Sequence, residues 1–337
     1  MDIGKFSKRV LLTGAGWSHN WGARLAGGVW QLILDFPDVR NNDRLSALLR
    51  DEQSFEFALA RTRSPPFVES DHRSFQRALL EAFISMDRAI ASPPNPKINI
   101  YQVQDLLFRF WGQRNHGVDT GYLFTLNQDL FFERYLYNNH VYGAPPPVLP
   151  AVQPSPGQRY FTTNVEAYSP QFVMHPFADP AGQGRLRGQM NVIKLHGSFN
   201  WRMPNAGNVL VVGTEKSRQI ADLPLLAWYF DIFKMVLYEA ERLMILGYGF
   251  GDEHVNAVIA EAIEKHGLKV FIWDAGPSLK ERVLAAAHGS TIWNGLLSTE
   301  TQRMIEVFPP SSPSQNETEE YRRIRRSFFD ETRFWPP

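Results

Sequence analysis

Several polar residues of this chain fall where an apolar run stops, and their types suggest what they could do together. Asn127 and Asp129 follow residues 122–125, and His196 follows 192–195. Asp252 lies a short step beyond 243–246, and Asp274 follows 270–273. An amide can hold ribose hydroxyls or orient a water, a neutral imidazole can take a proton, and a carboxylate can steady positive charge. Ahead of them, Gly14, Ala15, Gly16 and Ser18 follow the run 10–13. Glycines there let the backbone approach a pyrophosphate, and a helix N-terminus behind them favours negative charge. Gly247, Gly249 and Gly251 make a second glycine-rich step before Asp252 and His254.

Each residue also has a plainer reading. Gly14-Ala15-Gly16 meets the dinucleotide fingerprint only in part, because His19 stands where its third glycine would be. Asn127 and Asp129 are good helix caps, and Asp252 is expected to cap the helix after it. Asp274 suits a turn before Gly276-Pro277. Asp252 and His254 could be half of a metal site, but two ligands are too few, and no metal is expected. What sets the group apart is position. Five polar residues fall at four strand ends, and the C-terminal edge of an open parallel sheet is where ligands bind.

The elements that must position these residues are legible as alternating apolar runs and helical periodicity. Runs at 10–13, 122–125, 192–195, 243–246 and 270–273 read as buried strands, and the helical spacing predicts helices over 25–36, 54–60, 75–90, 101–111, 130–137, 223–239 and 255–265. The expected fold is α/β: a Rossmann-like parallel sheet with helices on both faces. Two departures interrupt it, a helical insertion over about residues 41–118 and a loop-rich excursion over about 138–190. The nucleotide-binding domain then spans 1–310, and 311–337 is a polar, basic tail with a short helix over 321–334 that suits docking to another surface or to its own domain.

Composition excludes several classes. The chain has 35 basic and 35 acidic residues, so no global basic field draws it to nucleic acid or to an anionic membrane. With no cysteine, thiolate-bound zinc, disulfides and cysteine nucleophiles are all ruled out. No apolar run is long enough to span a bilayer and the opening residues lack a signal-peptide core, so a cytoplasmic address is expected.

Taken in order, Gly14-Ala15-Gly16-Trp17-Ser18, Thr125-Leu126-Asn127-Gln128-Asp129, Leu195-His196-Gly197 and Gly247-Tyr248-Gly249-Phe250 resemble the sirtuin family. They stand for its phosphate loop, its T-x-N-x-D motif, its catalytic histidine and its Gly-Thr-Ser loop. The resemblance implies NAD as substrate, with His196 and Asn127 catalytic, Asp129 supporting, and Gly14, Ala15, Gly16, Ser18, Asn127, Gly247, Gly249 and Asp274 holding the dinucleotide. The departures shape the expected activity. The family's four-cysteine zinc module has no ligands here, its Pro-Asp-Phe-Arg segment is replaced by Asn20-Trp21-Gly22-Ala23-Arg24, and its peptide-binding Phe-Gly-Glu segment is not recognisable.

What remains is NAD machinery without a protein-substrate groove. Asn20-Trp21-Gly22, Lys194-Leu195-His196-Gly197-Ser198 and Gly249-Phe250-Gly251-Asp252-Glu253-His254 look like the bacterial sirtuin-like proteins of antiphage defence. Those consume NAD, in Thoeris-type systems or beside a HerA-class translocase ATPase. The chain resembles the paired kind, which implies an NAD glycohydrolase working as a homo-oligomer with such a partner. A scaffold subunit that binds NAD with little catalysis is the alternative; an NAD-dependent deacylase and a hydride-transferring dehydrogenase rank behind it.

Overall fold

The computed structural model describes residues 1–52, 54–92, 98–111, 120–136, 147–155, 173–203, 207–310 and 317–329. In chain order the strands are β1 (Arg9–Thr13), β2 (Gly121–Thr125), β3 (Val152–Pro154), β4 (Met174–Pro176), β5 (Met190–Lys194), β6 (Gly197–Met203), β7 (Gly207–Leu210), β8 (Arg242–Leu246), β9 (Lys269–Trp273) and β10 (Leu296–Glu300). Six form one sheet in the order β10-β9-β8-β1-β2-β5, and every pair in it is parallel. Val10, Leu11 and Leu12 are wholly enclosed, as are Leu123, Phe124, Val192, Ile193, Met244 and Ile245. Such unbroken apolar runs belong to strands covered on both faces, and helices supply the cover.

The order divides the sheet into two halves that run outward from between β1 and β8. That is the Rossmann-like arrangement, and the crevice where the strand order reverses is its ligand-binding position. The five strands read from apolar runs are all present. A sixth, β10, was not legible, because Leu296–Glu300 is half-exposed and carries Ser298, Thr299 and Glu300.

Between β1 and β2 the described chain is helical. Its longest member, Glu69–Ala91, buries Phe75, Leu79, Phe83 and Ile90 at helical spacing and packs on the helices Ala26–Asp35 and Phe131–Tyr135. Much of the excursion, including residues 137–146 and 156–172, lies outside the described residues, but the rest is more ordered in kind than a loop. Strands β3, β4, β6 and β7 make a second, four-stranded sheet that sequence reading missed. Strand β6 leaves directly from His196, with Gly197 at φ +73° making the bend. Glycine is required there: a Cβ would lie 2.1 Å from the Val209 carbonyl oxygen.

The C-terminal helix Glu319–Phe329 docks on its own domain. Phe328 and Phe329 pack against Phe110, and the Tyr321 hydroxyl donates to Asp105 at 2.7 Å. The expected continuation to 334 lies outside the described residues.

Candidate active site

Two glycine turns meet at the order reversal. Gly14 N–H donates to the Leu246 carbonyl at 3.0 Å, and Gly16 N–H to the Gly247 carbonyl at 2.8 Å. A Cβ on Gly14 would stand 2.7 Å from the Gly247 oxygen, and one on Gly16 2.8 Å from the Gly247 Cα. Gly247 itself has φ +64°, with the Trp17 nitrogen 2.4 Å from where its Cβ would be. These three glycines are therefore needed to let two backbones abut. Gly249 and Gly251 differ, since added Cβ atoms there would meet nothing within 4 Å.

The loop after β2 is tied to this turn. Asn127 donates from Nδ2 to the Gly14 carbonyl and to the Ser18 hydroxyl, both at 2.9 Å. Asp129 accepts from Phe131 N–H at 3.0 Å just ahead of the helix Phe131–Tyr135, whose N-cap position is Leu130. Beneath the loop are two buried ion pairs that sequence reading did not single out. Lys194 reaches Glu133 at 2.9 Å and Ser198 Oγ at 3.0 Å, and it also donates to the Asp129 carbonyl. Arg134 grips Asp87 through two bonds, at 2.9 and 2.5 Å. The signal was present in part: a lysine ending a buried strand must find a partner.

His196 comes to the same sheet edge from β5, the neighbour of β2. Its ring is buried and faces the backbone of Leu126, the residue before Asn127. Its Nε2 lies 3.0 Å from Nε2 of His254. Burial pushes the His196 pKa down to about 3, against a smaller upward pull from Asp252, so the imidazole is neutral near pH 7. Burial lowers His254 as well.

Asp252 was expected to cap the helix Glu253–His266, but its side chain makes no capping bond. Lys216 takes its carboxylate instead, at 2.7 Å, and bonds Glu56 at 2.8 Å on the other side. Burial works to raise the Asp252 carboxyl, yet His196 and Lys216 together outweigh it and hold the group below its usual value. For Lys216, burial is likewise outweighed, by Asp252 and Glu56, and its pKa rises. Ligand donors of His196, Asp252 and His254 all lie within 4.8 Å of one another, a set able to hold a metal ion that spacing alone had reduced to a pair.

A cavity of about 120 Å³ opens beside Asn127, with Ser18, Arg24, Phe55, Glu56 and Asp129 among its walls. Ligand pockets commonly hold ~300–1,000 Å³, so a dinucleotide needs this space to widen. Phe55 and Glu56 belong to the short helix Phe55–Arg61, which Lys216 pins toward Asp252. Asp274 lies apart, after β9. Its Oδ1 accepts from Gly276 N–H at 2.7 Å and from Arg282 at 2.8 Å, so the turn role is the one its geometry displays.

A Rossmann-like sheet with an amide and an imidazole on adjacent strand ends, beside a glycine turn at the order reversal, defines an α/β protein built around a nucleotide-type crevice. The chain belongs to the SIR2-like domain family, whose profile matches residues 122–292. Among solved structures it is similar to a Sir2 homologue in complex with NAD, at 15% identity over 89% of this chain and 85% of that one, with a TM-score of 0.40. It is similar too to a mutant Sir2 homologue in complex with 2'-O-acetyl ADP-ribose, at 15% identity over 91% and 93% of the two chains, with a TM-score of 0.42. No curated protein matches the chain. No helix among the described residues is long and apolar enough to cross a membrane.

Proposed function

We propose that this protein is an NAD glycohydrolase, hydrolysing NAD to nicotinamide and ADP-ribose. The observation that carries the reading is the placement of Asn127 and His196 after adjacent paired strands on one sheet edge, with Asn127 tied to the glycine turn at the order reversal. Membership of the SIR2-like family supports NAD as the nucleotide. The absence of cysteine removes the zinc module and, with it, the main support for a deacylase reading.

In the reaction, water adds to the anomeric carbon while the C–N bond breaks and nicotinamide departs with the bonding pair. Charge builds on the ribose, so the protein must hold the sugar and aim the water. Asn127 holds the ribose hydroxyls and the water on the reacting face. His196 takes the proton that water loses, a contribution of roughly 10²–10⁴ in rate for a general base. Asp129 steadies the loop, with Ser18, Arg24 and the open backbone at Gly249 nearest the dinucleotide. His254 Nε2 lies 3.0 Å from His196 Nε2, the nitrogen that would take the proton, and the cavity is narrow. Turnover therefore requires this region to open, consistent with an effector that is held off until triggered.

That same covered imidazole favours a second reading, an NAD-binding scaffold with little turnover. Chromatography of NAD incubated with pure protein separates the two. Nicotinamide and ADP-ribose in equal amounts support the enzyme, whereas NAD bound tightly and recovered intact supports the scaffold. From the motif resemblance we further propose a cytoplasmic homo-oligomer acting in antiphage defence beside a HerA-class ATPase. Co-purification with such an ATPase tests that assignment.

A further inference from the structure

We propose that His196, His254 and Asp252 form a site for one zinc-class divalent ion, and that its occupancy shuts off the reaction by taking the imidazole assigned as base. The donor set is the starting point. Two ligands of one tetrahedral zinc, at bonds of ~2.0–2.1 Å, stand about 3.3 Å apart. The two Nε2 atoms here are 3.0 Å apart, and the Asp252 carboxylate lies within 4.8 Å of both. Two imidazoles and one carboxylate leave a fourth position open, and such nitrogen-rich donors favour zinc over magnesium.

The site is enclosed: the His196 ring is buried with the Leu126 backbone beside it, and the Phe230 ring lies 5.5 Å from that of His254. Lys216 is the competitor. Its ammonium sits on Asp252 at 2.7 Å, where part of an ion's charge would act, and Glu56 at 2.8 Å offers it a second anchor when Asp252 turns to a metal. An ion therefore displaces Lys216 from one carboxylate and leaves it on the other.

Binding is independent of the assignment of NAD cleavage; only the inhibition rests on it. Titration calorimetry of the full chain with Zn²⁺, and with Mg²⁺ as the hard-ion control, reads the first directly. One Zn²⁺ per chain is expected, with no Mg²⁺ heat. His254→Ala and His254→Gln should each lose affinity by at least tenfold, with melting curves reporting that both fold, and Lys216→Met should gain affinity. A wild-type protein that takes up no Zn²⁺, or affinity unchanged in both folded His254 variants, overturns the site. So does weaker binding in a folded Lys216→Met. For the inhibition, Zn²⁺ should slow nicotinamide release by the wild type and much less so by His254→Gln, each against its own metal-free rate. Zinc bound without any NAD cleavage by the wild type leaves the site standing and removes the glycohydrolase reading. Cleavage that bound zinc does not slow overturns the inhibition.

Discussion

Asn127 and Gly14 are 113 residues apart, and the side-chain amide of the first donates to the carbonyl of the second at 2.9 Å. The loop after β2 and the turn after β1 are thereby fixed to each other at the sheet's order reversal. Asn127→Ala should lower nicotinamide release by about 100-fold, the scale of losing one positioned polar group. It should cost about 1–3 kcal/mol in stability, because the buried Gly14 carbonyl loses its donor. Thermal melts beside initial rates check both numbers. A variant that loses several times more stability and no activity would make Asn127 purely a structural tie.

Lys194 and Glu133 form an ion pair with both side chains fully enclosed. Lys194→Met should destabilise the protein by ~3–5 kcal/mol, because Glu133 is left charged and unpaired. Adding Glu133→Leu should recover much of that loss, since the orphaned charge goes with it. Denaturant unfolding of the single and double variants measures the difference. Equal stability of the two would mean that Lys194 acts through its bonds to Asp129 and Ser198.

Glu56 and Lys216 hold the helix Phe55–Arg61 over a cavity too small for a dinucleotide. Glu56→Gln removes a partly buried pair of about 1 kcal/mol, which should tighten apparent NAD binding by up to about fivefold if the open form is the binding form. Calorimetric affinities decide this. Weaker binding would mean that Glu56 itself contacts the ligand.

Gly247 is confined both by its φ of +64° and by the Trp17 backbone 2.4 Å from an added Cβ. Gly247→Ala should cost at least ~1–2 kcal/mol from backbone conformation alone, and more from the clash. Gly249→Ala, which meets nothing, should leave stability within ~0.5 kcal/mol. Melting temperatures of the pair check the contrast.

Much of the fold could be read because its central strands are short apolar runs cut off by polar residues. Residues 10–13, 122–125 and 192–195 are buried on both faces, so every position carries the signal. Strand β10 has no such run, and β6 mixes Asn200 and Arg202 with Phe199 and Trp201, which blurs any periodicity. Asn127 and His196 stood out through their place after strands. Lys216 and Glu56 did not, because each lies in an ordinary amphipathic segment and acquires meaning only where the chain folds back onto Asp252. His254 was visible two residues after Asp252, but its nearest partner is His196, 58 residues away. Asp252 stands at the N-cap position that its type suggests, but its carboxylate bonds Lys216 and not the helix. Capping is a local rule, and a distant ammonium outcompeted it.

Asn127 and His196 are proposed to act on one bond of one bound nucleotide. Single-turnover release of nicotinamide at saturating NAD, compared among wild type, His196→Ala, Asn127→Ala and the double variant, tests it most directly. Each single substitution should slow release by about 100-fold or more, and the double variant should be little slower than the worse single one, since residues acting as a unit are not additive. Wild-type rates in both single variants would contradict it.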